Sequence, residues 1–211
     1  MSIRRFASHL LFLLLAASAV PAAHAIPMAF HAFLDGPSEA PPNASPGTGE
    51  ALIVVDTDTH MMHVHISFSG LIGTTTAAHI HCCTAVPGTG TAGVATQTPL
   101  FIGFPVGGTA GTYDHLFDLT DPASFNAPFL GANGGPAGAA AALVAGMASS
   151  SSYVNVHSTF APGGEIRGFL AQVPEPLPLA LVALGLGGLY VSSLRMRRAE
   201  CRHFKHVARR D

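Results

Sequence analysis

Histidine is the residue whose number and spacing in this 211-residue chain most clearly admit chemistry. Eight of the twelve histidines fall between Ile26 and Val173: His31, His60, His63, His65, His79, His81, His115 and His157. Four of them form two His-x-His pairs, His63/His65 and His79/His81. Residues two apart on a strand point the same way, so each pair presents two imidazoles on one face. The apolar residues Val64, Ile66, Ile80, Val154 and Val156 mark the opposite, buried face. His157 therefore joins the polar side of its own strand, with Asn155, Glu165 and Arg167 nearby. Neutral imidazoles gathered with a carboxylate suit copper or zinc, for which three or four ligands suffice. His79, His81 and His157 are the candidate metal ligands, provided that their two strands are neighbours. His63, His65 and Glu165 stand in reserve, Glu165 as a ligand or as an outer carboxylate orienting an imidazole. The alternative is a structural network of His79, His81 and His157 with one another, with backbone carbonyls or with Glu165. Glu165 and Arg167, on one strand face, read as a structural ion pair.

Cys82 and Cys83 follow His81 directly and admit three readings. They form a vicinal disulfide in an oxidising compartment, or one thiolate joins His79 and His81 at a metal, or both remain reduced thiols. The third cysteine, Cys201, lies far away in a basic tail, so no framework of crossing disulfides exists and the domain must rely on an apolar core. No Ser-His-Asp order stands out. The glycine- and threonine-rich run from Gly88 to Gly93 lacks the lysine that a phosphate-cradling loop requires.

The elements that must position these residues read as strands. Gly, Pro, Ser and Thr punctuate short alternating apolar runs, an all-β pattern. Strands are expected over Ala29 to Leu34, Ala51 to Val55, His60 to Ser69, Thr76 to His81, Tyr153 to His157 and Glu165 to Ala171, with further candidates at Leu100 to Phe104 and Thr112 to Leu119. In the longest, Met62, Val64, Ile66 and Phe68 form the apolar face. Asp35 to Thr48 and Pro87 to Thr98 are loops, and alanine-rich Gly135 to Met147 is the one expected helix. The fold class is all-β, a Greek-key sandwich or barrel with one short helix.

The ends of the chain carry different signals. Arg4 and Arg5, the apolar run Leu10 to Ala17, and the small residues Ala23 and Ala25 lay out a secretory signal peptide over residues 1–25, to be cut by signal peptidase before Ile26. Leu177 to Leu194 is eighteen residues without a charge, long enough to cross a bilayer, and seven cations follow it within 195–211. Such a basic flank stays on the cytoplasmic side, leaving the domain outside. Pro174-Glu175-Pro176, the apolar span and the arginine cluster together resemble the PEP-CTERM sorting signal over residues 173–211. That resemblance implies an exported, membrane-anchored precursor, processed by an exosortase and delivered to the cell surface or extracellular matrix.

Between the ends, nine acidic residues face a single cation, Arg167, a net charge of −8 with neutral histidines. Such a surface repels phosphate backbones, so nucleic acid is excluded as a partner.

Several blocks in this region, residues 26–172, resemble the CHRD (chordin-type) domain. They are Leu34-Asp35-Gly36-Pro37-Ser38-Glu39-Ala40-Pro41-Pro42, Ser69-Gly70-Leu71, Ala78-His79-Ile80-His81, Tyr153-Val154-Asn155-Val156-His157 and Gly163-Gly164-Glu165-Ile166-Arg167-Gly168. The resemblance implies a β-rich extracellular module without an established catalytic activity. Cys82-Cys83 departs from it, standing where many relatives continue with a glycine-containing loop. The function expected first is a non-enzymatic binding or structural module with exopolysaccharide or another surface ligand as partner. The second is a copper- or zinc-dependent extracellular enzyme, since copper–zinc superoxide dismutases also carry a His-x-His strand on a Greek-key barrel.

Overall fold

The computed structural model describes residues 26–174. Strands run over β1 (Met28–Asp35), β2 (Thr48–Asp56), β3 (Met61–Ser69), β4 (Thr75–His81), β5 (Gly111–Asp118), β6 (Tyr153–Ser158), β7 (Ile166–Phe169) and β8 (Ala171–Gln172). Helix α1 is Ala127–Ala132 and helix α2 is Pro136–Ala148. All strand pairings are antiparallel, in the order β4-β6-β7-β1-β2-β3-β5, with β8 also on β1. The architecture is thus mostly β: one curled antiparallel sheet, a half-barrel, with helix α2 packed on it.

Alternation of side chains builds the core. Met62, Val64 and Ile66 of β3 are fully buried, as are Phe30 of β1, Ile53 of β2 and Val154 and Val156 of β6. Helix α2 adds Ala139, Leu143 and Met147, spaced four apart so that they share one face. Burying such apolar side chains is worth about 1.5–3 kcal/mol each and is the main drive for the sheet to curl.

Three expectations change in detail. Leu100 to Phe104 is not a strand, because Pro99, Gly103 and Pro105 interrupt any ladder. The longer stretch 95–107 instead closes the open edge of β4: the amides of Ala95, Phe101 and Gly107 donate to the carbonyls of Ile80, Ala78 and Thr75 at 2.9, 3.3 and 2.8 Å. Phe101 and Phe104 plug the core from there. The strand expected over Glu165 to Ala171 is split at Leu170, whose buried side chain turns inward while its amide bonds Ser152. Helix α2 has a short companion in α1, in a Pro- and Gly-containing stretch that sequence assigns to no element.

Among the described residues no helix is long and apolar enough to cross a membrane. The signal-peptide residues Ala23 and Ala25, the motif residues Glu175 and Pro176, and the span 177–194 lie outside the described residues; Pro174 is the last one described.

Candidate metal centre

Strands β4 and β6 are adjacent, and their register sets His79 opposite Asn155, His81 opposite Tyr153 and Ala77 opposite His157. Ile80, Ala78, Val154 and Val156 go into the core, so the odd-numbered residues emerge together on the outer face. Loops cover that face. His79 is 6% exposed and His81 9%, while His157 is half-buried at the edge. One ring nitrogen from each histidine lies within 4.8 Å of those of the other two.

The covering loops assign the protons. The Nε2 of His79 faces the Pro99 carbonyl at 2.8 Å, the Nδ1 of His81 faces that of Ala92 at 2.9 Å, and the Nδ1 of His157 faces that of Pro162 at 3.0 Å. A carbonyl only accepts, so each of these nitrogens carries its ring's hydrogen. The remaining nitrogens, Nδ1 of His79 and Nε2 of His81 and of His157, are then lone pairs. Two of them stand 3.2 Å apart, and the third, Nε2 of His81, is buried without a hydrogen-bond partner. Lone pairs gathered within 4.8 Å repel one another, and a cation bound between them relieves that repulsion. Backbone carbonyls holding the outer nitrogens are also the usual second layer of a histidine metal site.

Charging the rings is no remedy. Burial lowers the pKa of all three, and pushes His81 down to about 4. At neutral pH the cluster is three neutral imidazoles, the form that binds a metal.

The rest of the outer face is built around Arg167. Its guanidinium donates to the carbonyls of Ser38 and Gly90, stands 3.9 Å from Glu39 and lies over the rings of Tyr153 and Phe169. Tyr153 in turn stacks parallel on His81, centroids 4.7 Å apart. Burial, only partly offset by Arg167, raises the Glu39 carboxyl to about 7.

Glu165 is a correction on two counts. It is neither at the histidines nor paired with Arg167, whose acidic neighbour is Glu39. Fully buried, it accepts from the hydroxyls of Ser45 and Ser158 and from the amides of Ile72 and Gly73. Burial alone would raise its pKa, but those four donors hold it below the ordinary carboxylate value. It pins loops 36–47 and 70–74 to the end of β6.

His63 and His65 lie elsewhere, on the open face of β3. Their rings meet the two oxygens of Asp114 on β5 at 2.8 and 3.0 Å, with both side chains 40% exposed. Bonds from His63 and His65 lower the Asp114 pKa. Cys82 and Cys83 are joined, and their sulfurs pack on helix α2 at Gly146, where a Cβ would fall against both. No sulfur reaches the histidine group.

Sequence reasoning did not reach Glu39, nor the carbonyls of Ala92, Pro99 and Pro162. Carbonyls leave no mark in residue type, and Glu39 lies forty residues from its nearest histidine ligand, in a loop that only folding brings over Arg167.

A comparison with curated proteins and with solved structures finds no match to this chain. The family model of the CHRD domain matches residues 30–170, from Phe30 within β1 to the buried Leu170. Most of the half-barrel, including β4, β6 and their covered histidine face, lies within that stretch, and the chain belongs to the CHRD domain family.

Proposed function

We propose that this chain is an exported surface or matrix module whose CHRD domain holds one copper or zinc ion at His79, His81 and His157. The observation that carries this reading is the set of three converging lone pairs, each fixed by a backbone carbonyl behind its ring. Burial of His79 and His81 favours retention of an ion over turnover at it, so the role is binding or structural. On this reading a signal peptide exports the module, residues 177–194 anchor the precursor, and an exosortase that recognises Pro174-Glu175-Pro176 delivers it to the cell surface or extracellular matrix, with exopolysaccharide or another surface ligand as partner. The acidic, nearly cation-free composition of residues 26–173 suits such an exterior.

Metal analysis of the purified full chain tests the reading. One copper or zinc per chain is expected, lost as pH falls because protonated imidazole has no lone pair to give. Changing His79 and His81 together to alanine removes the ion while the β-sheet circular dichroism persists. A wild-type chain that takes up neither ion would end the proposal. Sorting is tested separately: alanines at 174–176 leave the protein membrane-bound with its basic tail attached.

A further inference from the structure

Resting on the three-histidine reading, we infer that the ion held there is monovalent copper in preference to any divalent ion. The donor set comes first. The converging group among the described residues contains no aspartate, glutamate or cysteine, so the ligands cancel none of the ion's charge. Glu165 is held by its four donors, and Glu39, 3.9 Å from Arg167 and with its Oε1 lacking a hydrogen-bond partner, is not in the converging group. The sulfurs of Cys82 and Cys83 are joined to each other.

Burial then discriminates by charge. The cost of moving an ion out of water grows with the square of its charge, so a dication is penalised about fourfold more than a monocation of like size. A fixed positive charge adds to this. The Arg167 guanidinium, 5% exposed, lies 4.8 Å from the Tyr153 ring centroid, and that ring stacks on His81. Its repulsion acts twice as strongly on a doubly charged ion.

Coordination number points the same way. Three imidazoles complete a trigonal set for Cu(I), whereas structural zinc sites are almost always four-coordinate. His79 and His81 are covered, so a fourth ligand for zinc would have to enter past His157, the one half-buried member of the group.

The test is a pair of competition titrations on the metal-free full chain without oxygen, using bicinchoninate as the Cu(I) competitor and a zinc-chelating indicator for Zn(II). One Cu(I) per chain is expected, held more than about tenfold tighter than Zn(II), with three nitrogen neighbours by X-ray absorption. Replacing Arg167→Met together with Glu39→Gln, so that no unpaired carboxyl is left behind, removes the fixed positive charge and should narrow the preference. Arg167→Lys, which keeps the charge, should preserve it. Tighter binding of Zn(II) or Cu(II) than of Cu(I) overturns the inference and leaves the metal reading standing. Binding of no ion at all overturns both. If the double variant fails to fold, the wild-type titrations decide alone.

Discussion

His63/His65 and His79/His81 are the same motif on the same kind of strand, and the fold treats them in opposite ways. The first pair lies on the open side of β3, where Asp114 reaches across from β5 and solvent reaches both rings. The second lies under the connection from β4 to β5, beside β6, with two carbonyls of that connection fixing its tautomers and a third imidazole close by. An exposed carboxylate hydrogen-bonds both histidines of the first pair, and solvent reaches the rest of each ring. Buried carbonyls occupy only the outer nitrogens and leave the inner ones as lone pairs without a donor. Cover, and the chemistry of what does the covering, separates a candidate centre from a surface hydrogen-bonded cluster.

The largest expected difference between the halves is in metal. His63→Ala with His65→Ala should leave the bound ion at one per chain by elemental analysis, where His79→Ala with His81→Ala removes it. Loss of the ion from both double variants would show that the two pairs are not distinct.

Stability should divide along the same line. Glu165→Ala strips a buried carboxylate from two hydroxyls and two amides that hold the cover in place. It should cost about 3–5 kcal/mol in urea denaturation. A loss below ~1 kcal/mol would mean that the cover does not depend on it.

Acid sharpens the contrast in the metal-free chain. His81 has its folded pKa lowered from 6.5 to about 4, so the unfolded state takes up its proton first. Its contribution is therefore intact above pH 6.5 and lost as pH falls towards about 4. Glu39 opposes this: with a folded pKa raised from 4.5 to about 7, its contribution is present below 4.5 and lost as pH rises through 7. Glu39→Gln should accordingly steepen the fall of stability between pH 6.5 and 4.5 measured by denaturant titration. An unchanged slope would mean that Glu39 is not held neutral.

The smallest effect belongs to the open face. Asp114→Asn breaks contacts that solvent replaces, and the melting temperature at pH 7 should stay where it is. A clear drop would raise His63 and His65 to structural importance.

Sequence by itself determined which side of each strand faces the core. Met62, Val64, Ile66, Ile80, Val154 and Val156 follow from a period of two, a local property of extended backbone. It likewise set the single cation, the adjacent cysteines, and the polar grouping of His79, His81 and His157. Tertiary structure alone decided that β4 pairs with β6 while β3 pairs with β5, since strand adjacency is a contact between segments some fifty to eighty residues apart. It also moved Glu165 away from the histidines: a bend before β7 turns its carboxylate to Ser45 and Ser158, and a carboxylate goes where donors outnumber its alternatives. The tautomers were the last to be settled, because they depend on the carbonyls of Ala92, Pro99 and Pro162, and every residue has a carbonyl.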